Sequence, residues 1–232
     1  MIQVLKQEFF DTFKSIRSIL IIVFMTFVSY QSATFIQRNP GLMEEALAKN
    51  GDSLSIYSAV IAFLVLLFGF LFVFATSHNI INREIEKGTM RLLVTKISRI
   101  QIVTGKLLGT MLFWTLTISI TFAILSVITG TWLPKDYIQS LVCLFYMVSF
   151  TLLLSTIVPK STLTMFLGVF LGISLPIIGL VATLSDKWYI IPFKYGLPYY
   201  YLDDSILLLF VPFGIGVIYF LTSIYILKRK DL

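Results

Sequence analysis

The chain has 232 residues, of which 57% are hydrophobic and only 13% are charged. A soluble domain carries about 25% charged residues, so this composition excludes an ordinary soluble protein. The mean hydropathy of +0.91 points instead to a protein that is embedded in a membrane.

Six stretches of the sequence each approach the roughly 20 apolar residues that a helix needs to cross a bilayer. The 18 basic and 12 acidic residues all lie outside these stretches. The sequence therefore predicts an all-α, polytopic membrane protein with six transmembrane helices in one domain, residues 18–232. The predicted spans are residues 18–36, 54–77, 107–128, 138–158, 161–184 and 206–227.

Residues 1–17, ahead of the first span, are amphipathic. Five apolar residues recur there at spacings of three or four, and most of the charged residues lie between them. This pattern predicts a helix along the cytoplasmic membrane surface, although a simple flank of the first span is the alternative. The five are Ile2, Leu5, Phe9, Phe13 and Ile16.

The basic residues predict the orientation. With six spans, both termini lie on one side, and 13 of the 18 basic residues are on that side. Loops rich in lysine and arginine stay in the cytoplasm, so we expect a multi-pass protein of the cell membrane with both termini cytoplasmic. The net charge of +6 is then a topology signal and not a sign of nucleic-acid binding.

Residues 82–106 carry eight charged residues between two uncharged runs. Gly88 is expected to interrupt the helix that leaves the second span, and Ser98 to cap the helix that enters the third. Between them, residues 89–95 (TMRLLVT) predict a short amphipathic helix. Such a helix could fill a groove in another protein, and a solvated basic loop is the other interpretation.

The same segment resembles the cytoplasmic loop signature of ABC-2-type permeases, the membrane subunits of ATP-binding-cassette transporters. The resemblance depends on the run 86–90 (EKGTM), the pair Leu92–Leu93, the pair Ser98–Arg99, and Lys106. Lys96 stands where the family commonly has proline, so a looser turn is expected here. Six spans and an N-terminal surface helix extend the resemblance along the whole chain.

The resemblance implies a coupling helix that docks on an ABC ATPase, two copies of which would bind ATP and magnesium and drive export. It also implies a second permease subunit, either the same chain or a related one. The residues implied in coupling are Glu84, Glu86, Gly88, Thr89, Met90, Arg91, Leu92, Leu93, Ser98 and Arg99.

The chain itself is not expected to be an enzyme or to hold a cofactor or a metal. It lacks the phosphate-binding motif G-x-x-x-x-G-K-[ST], and its single histidine, His78, has no nucleophile and acid to complete a catalytic set. An ion-driven secondary transporter is disfavoured, because such proteins use ionisable groups near the membrane centre. A non-transporting immunity or sensor protein remains an alternative.

The third predicted span has a mildly polar face, formed by Thr110, Trp114, Thr117 and Thr121, and Gln31 lies near the outer end of the first span. These side chains could line a conduit for an amphiphile. Alternatively, the hydroxyl groups bond to neighbouring helices or to their own backbone. In the fifth span, Gly168 and Gly172 form a G-x-x-x-G motif that permits close helix approach, although such a motif also arises by chance in glycine-rich spans. The family resemblance implies a dimer interface that uses the first and fifth spans.

The last outer loop, residues 185–205, is rich in aromatic side chains. Amphipathic rings favour the membrane–water interface, so the loop is either an aromatic belt or, as the resemblance implies, a re-entrant hairpin that closes the pathway. The uncharged spans favour a hydrophobic or amphiphilic cargo such as a peptide, lipid or drug. The candidate gate residues are Trp188, Tyr189, Tyr199, Tyr200 and Tyr201.

Overall fold

The computed structural model describes residues 1–39, 41, 55–130, 132–185, 187–202 and 206–230. These residues form helices and no strands, which confirms the all-α prediction. In chain order the helices are α1 (Ile2–Phe13), α2 (Ile16–Arg38), α3 (Ser55–Ser77), α4 (Asn82–Glu86), α5 (Thr89–Lys96), α6 (Arg99–Thr129), α7 (Pro134–Ile157), α8 (Ser161–Leu184), α9 (Ile191–Gly196) and α10 (Phe210–Arg229), with 3-10 turns at Pro198–Tyr201 and Ile206–Leu209.

Six helices of the described chain are long and apolar enough to cross a membrane: α2, α3, α6, α7, α8 and α10. This confirms the predicted number of spans, and the chain is a multi-pass membrane protein. The largest difference is in α6, which begins at Arg99 and not at residue 107. Its 31 residues make a helix about 46 Å long, longer than the hydrocarbon core of a bilayer, so its first turns project beyond that core.

Helix α7 lies at the centre of the bundle and packs against α3, α6 and α10. Its aromatic side chains meet those of its neighbours edge to face: Tyr146 contacts Phe70 and Tyr219, and Phe150 contacts Phe70 and Phe74. Such ring pairs stabilise the packing of the helices by more than the burial of their apolar area accounts for. We call the end of the bundle where Met1 and Lys230 lie the terminal end; it carries the short helices α4 and α5.

The glycines of the fifth span pack inside the chain. A Cβ atom at Gly168 would lie 2.8 Å from the ring of Phe74, and one at Gly172 would lie 3.0 Å from the Cα of Leu71. Both neighbours belong to α3, so this face of α8 is covered by the chain itself. The close approach that the motif permits is thus to α3, and the predicted dimer interface on the first and fifth spans stays a prediction.

The N-terminal helix α1 packs tightly on α6. A Cβ atom at Gly109 would lie 2.8 Å from the Leu5 carbonyl oxygen and 2.9 Å from the Glu8 Cβ, and one at Gly105 would lie 3.1 Å from the Val4 Cβ. The opposite side of α1 exposes Ile2 and Phe10. This helix is thus held to the start of the third span by close backbone approach.

Large apolar side chains are exposed along the outward faces of α2, α8 and α10. An exposed apolar surface of this extent requires lipid or another protein subunit to cover it. The most prominent of these side chains are Leu20, Val23 and Phe27 on α2, Phe166, Phe170, Ile173 and Ile177 on α8, and Ile218 and Leu221 on α10.

Candidate functional site

Gly88 separates helices α4 and α5. Gly88 has φ of +71°, a left-handed conformation that glycine adopts without strain, and the Thr89 hydroxyl donates to the Glu84 carbonyl oxygen at 3.3 Å across the turn. Helix α5 then runs for eight residues before Ile97 becomes extended. The predicted short helix is therefore present, and its start is set by the glycine.

The apolar residues of α5 divide between two faces. Met90 is buried, and Leu93 is half-buried against the core. Leu92, by contrast, is 69% exposed, and Arg91 lies beside it, also exposed. Helical geometry separates these faces because neighbouring residues are 100° apart. Leu92 is thus the apolar side chain of α5 that is free to contact another protein.

A buried ion cluster ties α4 to α1 and α6. The Lys106 Nζ lies 2.7 Å from Glu8 Oε2 and 2.8 Å from Glu84 Oε1, and only 5% of the Lys106 side chain is exposed. A buried ammonium group needs such partners, because the cost of removing it from water is large. Sequence reasoning missed Glu8, because its partner Lys106 is 98 residues away along the chain. The only signal in the sequence was the position of Glu8 among the polar residues of α1.

Asn82 connects α4 to α7 and α8. The backbone N–H groups of Ile81 and Asn82 donate to the Ser155 hydroxyl at 2.9 and 3.2 Å, and the Asn82 amide donates to the Thr164 hydroxyl. All of these side chains are buried, so each polar group depends on the others for its hydrogen bonds. Glu86 adds a second link, because its carboxylate accepts from the Ser161 N–H at 3.2 Å, where α8 begins.

Arg99 joins the start of α6 to the end of α10. Its guanidinium Nη1 donates to the carbonyl oxygens of Leu227 and Lys228, both at 2.7 Å, and of Lys230 at 3.0 Å. Carbonyl groups in the last turn of a helix have no partner within it, so a cation placed there stabilises the helix end. Ser98 caps α6 as predicted, accepting from the Gln101 N–H at 3.3 Å.

The candidate pathway residues of α6 lie inside the bundle. Thr110, Trp114, Thr117 and Thr121 are all buried. The Thr117 hydroxyl donates to the Phe113 carbonyl at 3.0 Å and the Thr121 hydroxyl to the Thr117 carbonyl at 2.9 Å, which is the backbone-bonding alternative. Gln31 is exposed on α2, and the structure does not group it with these four.

The aromatic outer segment, the described residues 187–202, has two parts. Trp188 and Tyr189 are 81% and 52% exposed, as an interfacial belt requires. Tyr199 is buried: its ring lies where a Cβ at Gly179 would be, and its hydroxyl donates to the Leu66 carbonyl at 2.9 Å. Tyr201 is buried as well, and its hydroxyl donates to the Tyr195 carbonyl at 3.0 Å, while Tyr200 is half-buried between them.

The family model described as "ABC-2 family transporter protein" matches residues 2–190, more than three-quarters of the chain. The chain belongs to the ABC-2 transporter family. No curated protein matches it individually. The match confirms the resemblance seen in the loop of residues 82–106, and it makes the chain a permease, a membrane subunit that associates with an ABC ATPase.

In this ABC-2 permease, the ten residues implied in coupling fall into two groups. Glu84, Met90, Leu93 and Arg99 have their contacts within the chain, and the exposed Glu86 caps α8. These five build and anchor the segment. The other five, Gly88, Thr89, Arg91, Leu92 and Ser98, are exposed, although Thr89 and Ser98 also hydrogen-bond within the chain.

Proposed function

We propose that α5 is the coupling helix of this ABC-2 permease and that it docks on the ATPase subunit with Leu92 as its apolar anchor. The observation that carries the proposal is the division of α5 into a buried face with Met90 and an exposed face with Leu92. An exposed leucine on a helix whose opposite face is packed against its own chain is well suited to fill a pocket in a partner. Such buried anchors dominate the energetics of interfaces. Arg91 would contribute a rim charge of smaller effect.

Movement of α5 would reach the spans through the contacts of its neighbours. Lys106 connects Glu84 to α1 and α6, Asn82 connects to α7 and α8, and Arg99 holds α6 to α10. Closure of two ATPase subunits on ATP and magnesium would thus shift several spans together. A ligand-driven change of this kind alternates the permease between inward-facing and outward-facing states.

We further propose that two permease subunits, identical or related, form the pathway between them and export a hydrophobic or amphiphilic cargo. The exposed apolar rows of α2 and α8 are the proposed contact faces, because they need a cover and because the glycine face of α8 is already occupied. Tyr199, Tyr200 and Tyr201 are proposed as the outer gate, with Trp188 and Tyr189 in the membrane interface. The terminal end is placed in the cytoplasm, in keeping with its 13 basic residues.

The docking proposal is tested by purifying the permease in mild detergent and identifying the ATPase that accompanies it. Leu92→Asp is expected to remove about 2 kcal/mol or more of interface energy, which weakens ATPase retention at least about 30-fold. Gln101→Asp is the matched control, since Gln101 is exposed in the first turn of α6, outside α5, where an acidic side chain is favourable. Full retention and full transport with Leu92→Asp would show that α5 does not dock.

A further inference from the structure

An open cavity of about 440 Å³ lies at the terminal end, between α1, the start of α2 and the end of α3. Its lining is rich in ionisable side chains of both signs, and it lies apart from the exposed face of α5. The ionisable side chains are Glu8, Asp11, Arg17, His78 and Arg83.

The charges of this cavity fit a ligand that carries both a phosphate and an ammonium group. Arg17 and Arg83 are exposed guanidinium groups, which pair readily with phosphate oxygens. Asp11 is an exposed carboxylate in the same cavity, whereas Glu8 is already paired with Lys106. A headgroup whose only charge is its phosphate would place a second anion near Asp11. A headgroup that also has a primary amine would pair its ammonium group with the Asp11 carboxylate.

A second, almost wholly apolar groove of about 150 Å³ shares Arg17 and Ala75 with the cavity. It is further lined by Leu71 and Phe74 of α3 and by Met165 and Val169 of α8. From Ala75 to Leu71, and from Met165 to Val169, the chain runs away from the terminal end and into the bundle. The polar cavity therefore continues into an apolar groove along the membrane-facing surface, with Arg17 at the boundary.

We propose that the cavity and the groove together bind one phospholipid with an amine-bearing headgroup, of the phosphatidylethanolamine class. Arg17 and Arg83 bind its phosphate, Asp11 binds its ammonium group, and an acyl chain lies along Leu71 and Val169. Basic pockets between spans are known to bind lipid headgroups, and the adjoining apolar groove suits an acyl chain, which a soluble ligand lacks. The proposal does not depend on docking of the ATPase.

The test is native mass spectrometry of the purified, full-length permease, titrated with phosphatidylethanolamine or with phosphatidylglycerol of identical acyl chains. The ethanolamine lipid is expected to bind more tightly. Arg17→Ala should weaken its binding about tenfold, the usual effect of losing one charge-assisted hydrogen bond. Arg38→Ala, at the other end of the same helix, should not. Asp11→Asn should abolish the preference between the two lipids.

Arg17 also donates to the Ala75 carbonyl at 3.3 Å, so Arg17→Ala removes a contact within the chain as well as a contact with lipid. A second variant therefore keeps every charge in place and tests the groove. Val169→Trp should fill the groove and weaken binding of the ethanolamine lipid about tenfold, whereas Ile218→Trp, at a 60% exposed position on α10 outside the groove, should not. Soluble glycerophosphoethanolamine should not compete. Equal binding of the two lipids, unchanged binding to Val169→Trp, or competition by the soluble ester would each overturn the proposal.

Discussion

At the scale of single residues, the terminal end depends on charged side chains that act inside the chain. Lys106 lies between two carboxylates, Arg99 closes the end of α10, and the Lys230 Nζ donates to the Thr156 carbonyl at 2.7 Å, where α7 ends. Partial burial lowers the pKa of Lys230 from its ordinary value, because a charged amine loses hydration there. Arg99 and Lys230 contact the C-terminal ends of α10 and α7, where positive charge is stabilising.

Lys106 is expected to be the most sensitive of the charged residues. Lys106→Ala leaves the half-buried carboxylates of Glu8 and Glu84 near one another without a cation, and breaking a buried pair in this way costs up to about 3 kcal/mol. Thermal unfolding of the detergent-solubilised permease should therefore occur at a clearly lower temperature. Glu8→Gln should have a smaller effect, since Glu84 still balances the lysine.

The control for this comparison is Lys87→Ala, because Lys87 is an exposed lysine in the same segment. It should unfold at the wild-type temperature, as exposed charges contribute little. If Lys106→Ala were as stable as Lys87→Ala, the ion cluster would not hold α1, α4 and α6 together.

At the scale of elements, two short segments stand out because each has one face packed and one face exposed. Helix α5 buries Met90 and exposes Leu92. The outer segment buries Tyr199 against α8 and exposes Trp188. In both, the packed face fixes the position of the segment, and the exposed face is available for the contacts proposed with ATPase, lipid or cargo.

The outer segment allows a direct test of its proposed role as a gate. Tyr199→Ala removes a ring that fills the space beside Gly179 and a hydrogen bond to the Leu66 carbonyl. We expect the segment to detach from α3 and α8, so that transport falls or substrate-independent ATPase activity rises about tenfold, while the ATPase remains bound.

Tyr189→Ala is the matched control, since Tyr189 is 52% exposed and belongs to the belt. It should leave transport and ATPase activity near their wild-type values. Normal coupling in Tyr199→Ala would instead assign the whole segment to the interfacial belt.

At the scale of the whole molecule, the proposed orientation in the membrane concerns the six spans and the charged contacts of the terminal end. Arg17, Arg99 and Lys230 all contact helix ends at the terminal end. α5 lies at the same end, so the proposed orientation brings all of these groups to the cytoplasmic side together.

Cysteine labelling in intact cells tests this orientation. A cysteine at Lys135, where α7 begins, should react with an impermeant thiol reagent, and one at Lys87 should react only after the membrane is opened. The native Cys143 is buried and should contribute little labelling. Reaction at Lys87 from outside would reverse the topology. Glu44, which the six-span prediction also places outside, lies beyond the described residues.

The sequence by itself determined the features that depend on neighbours along the chain. Six apolar runs predicted six spans, because an uncharged apolar run of that length is most stable as a helix across the hydrocarbon core of a bilayer. The helix cap at Ser98 and the turn at Gly88 could be predicted, because helix capping and a positive φ angle depend on the residue itself and its neighbours along the chain. The loop signature also indicated the ABC-2 family, and the family match over residues 2–190 confirms it.

Only the tertiary structure decided which partner each side chain has. Gly168 and Gly172 pack against α3, and Arg99 reaches carbonyl groups 128 residues or more away along the chain. Leu92 and Leu93 are adjacent and chemically identical, yet Leu92 is exposed and Leu93 packs on the core. Spacing shows that a face exists, but which helix covers it depends on how all six spans pack together.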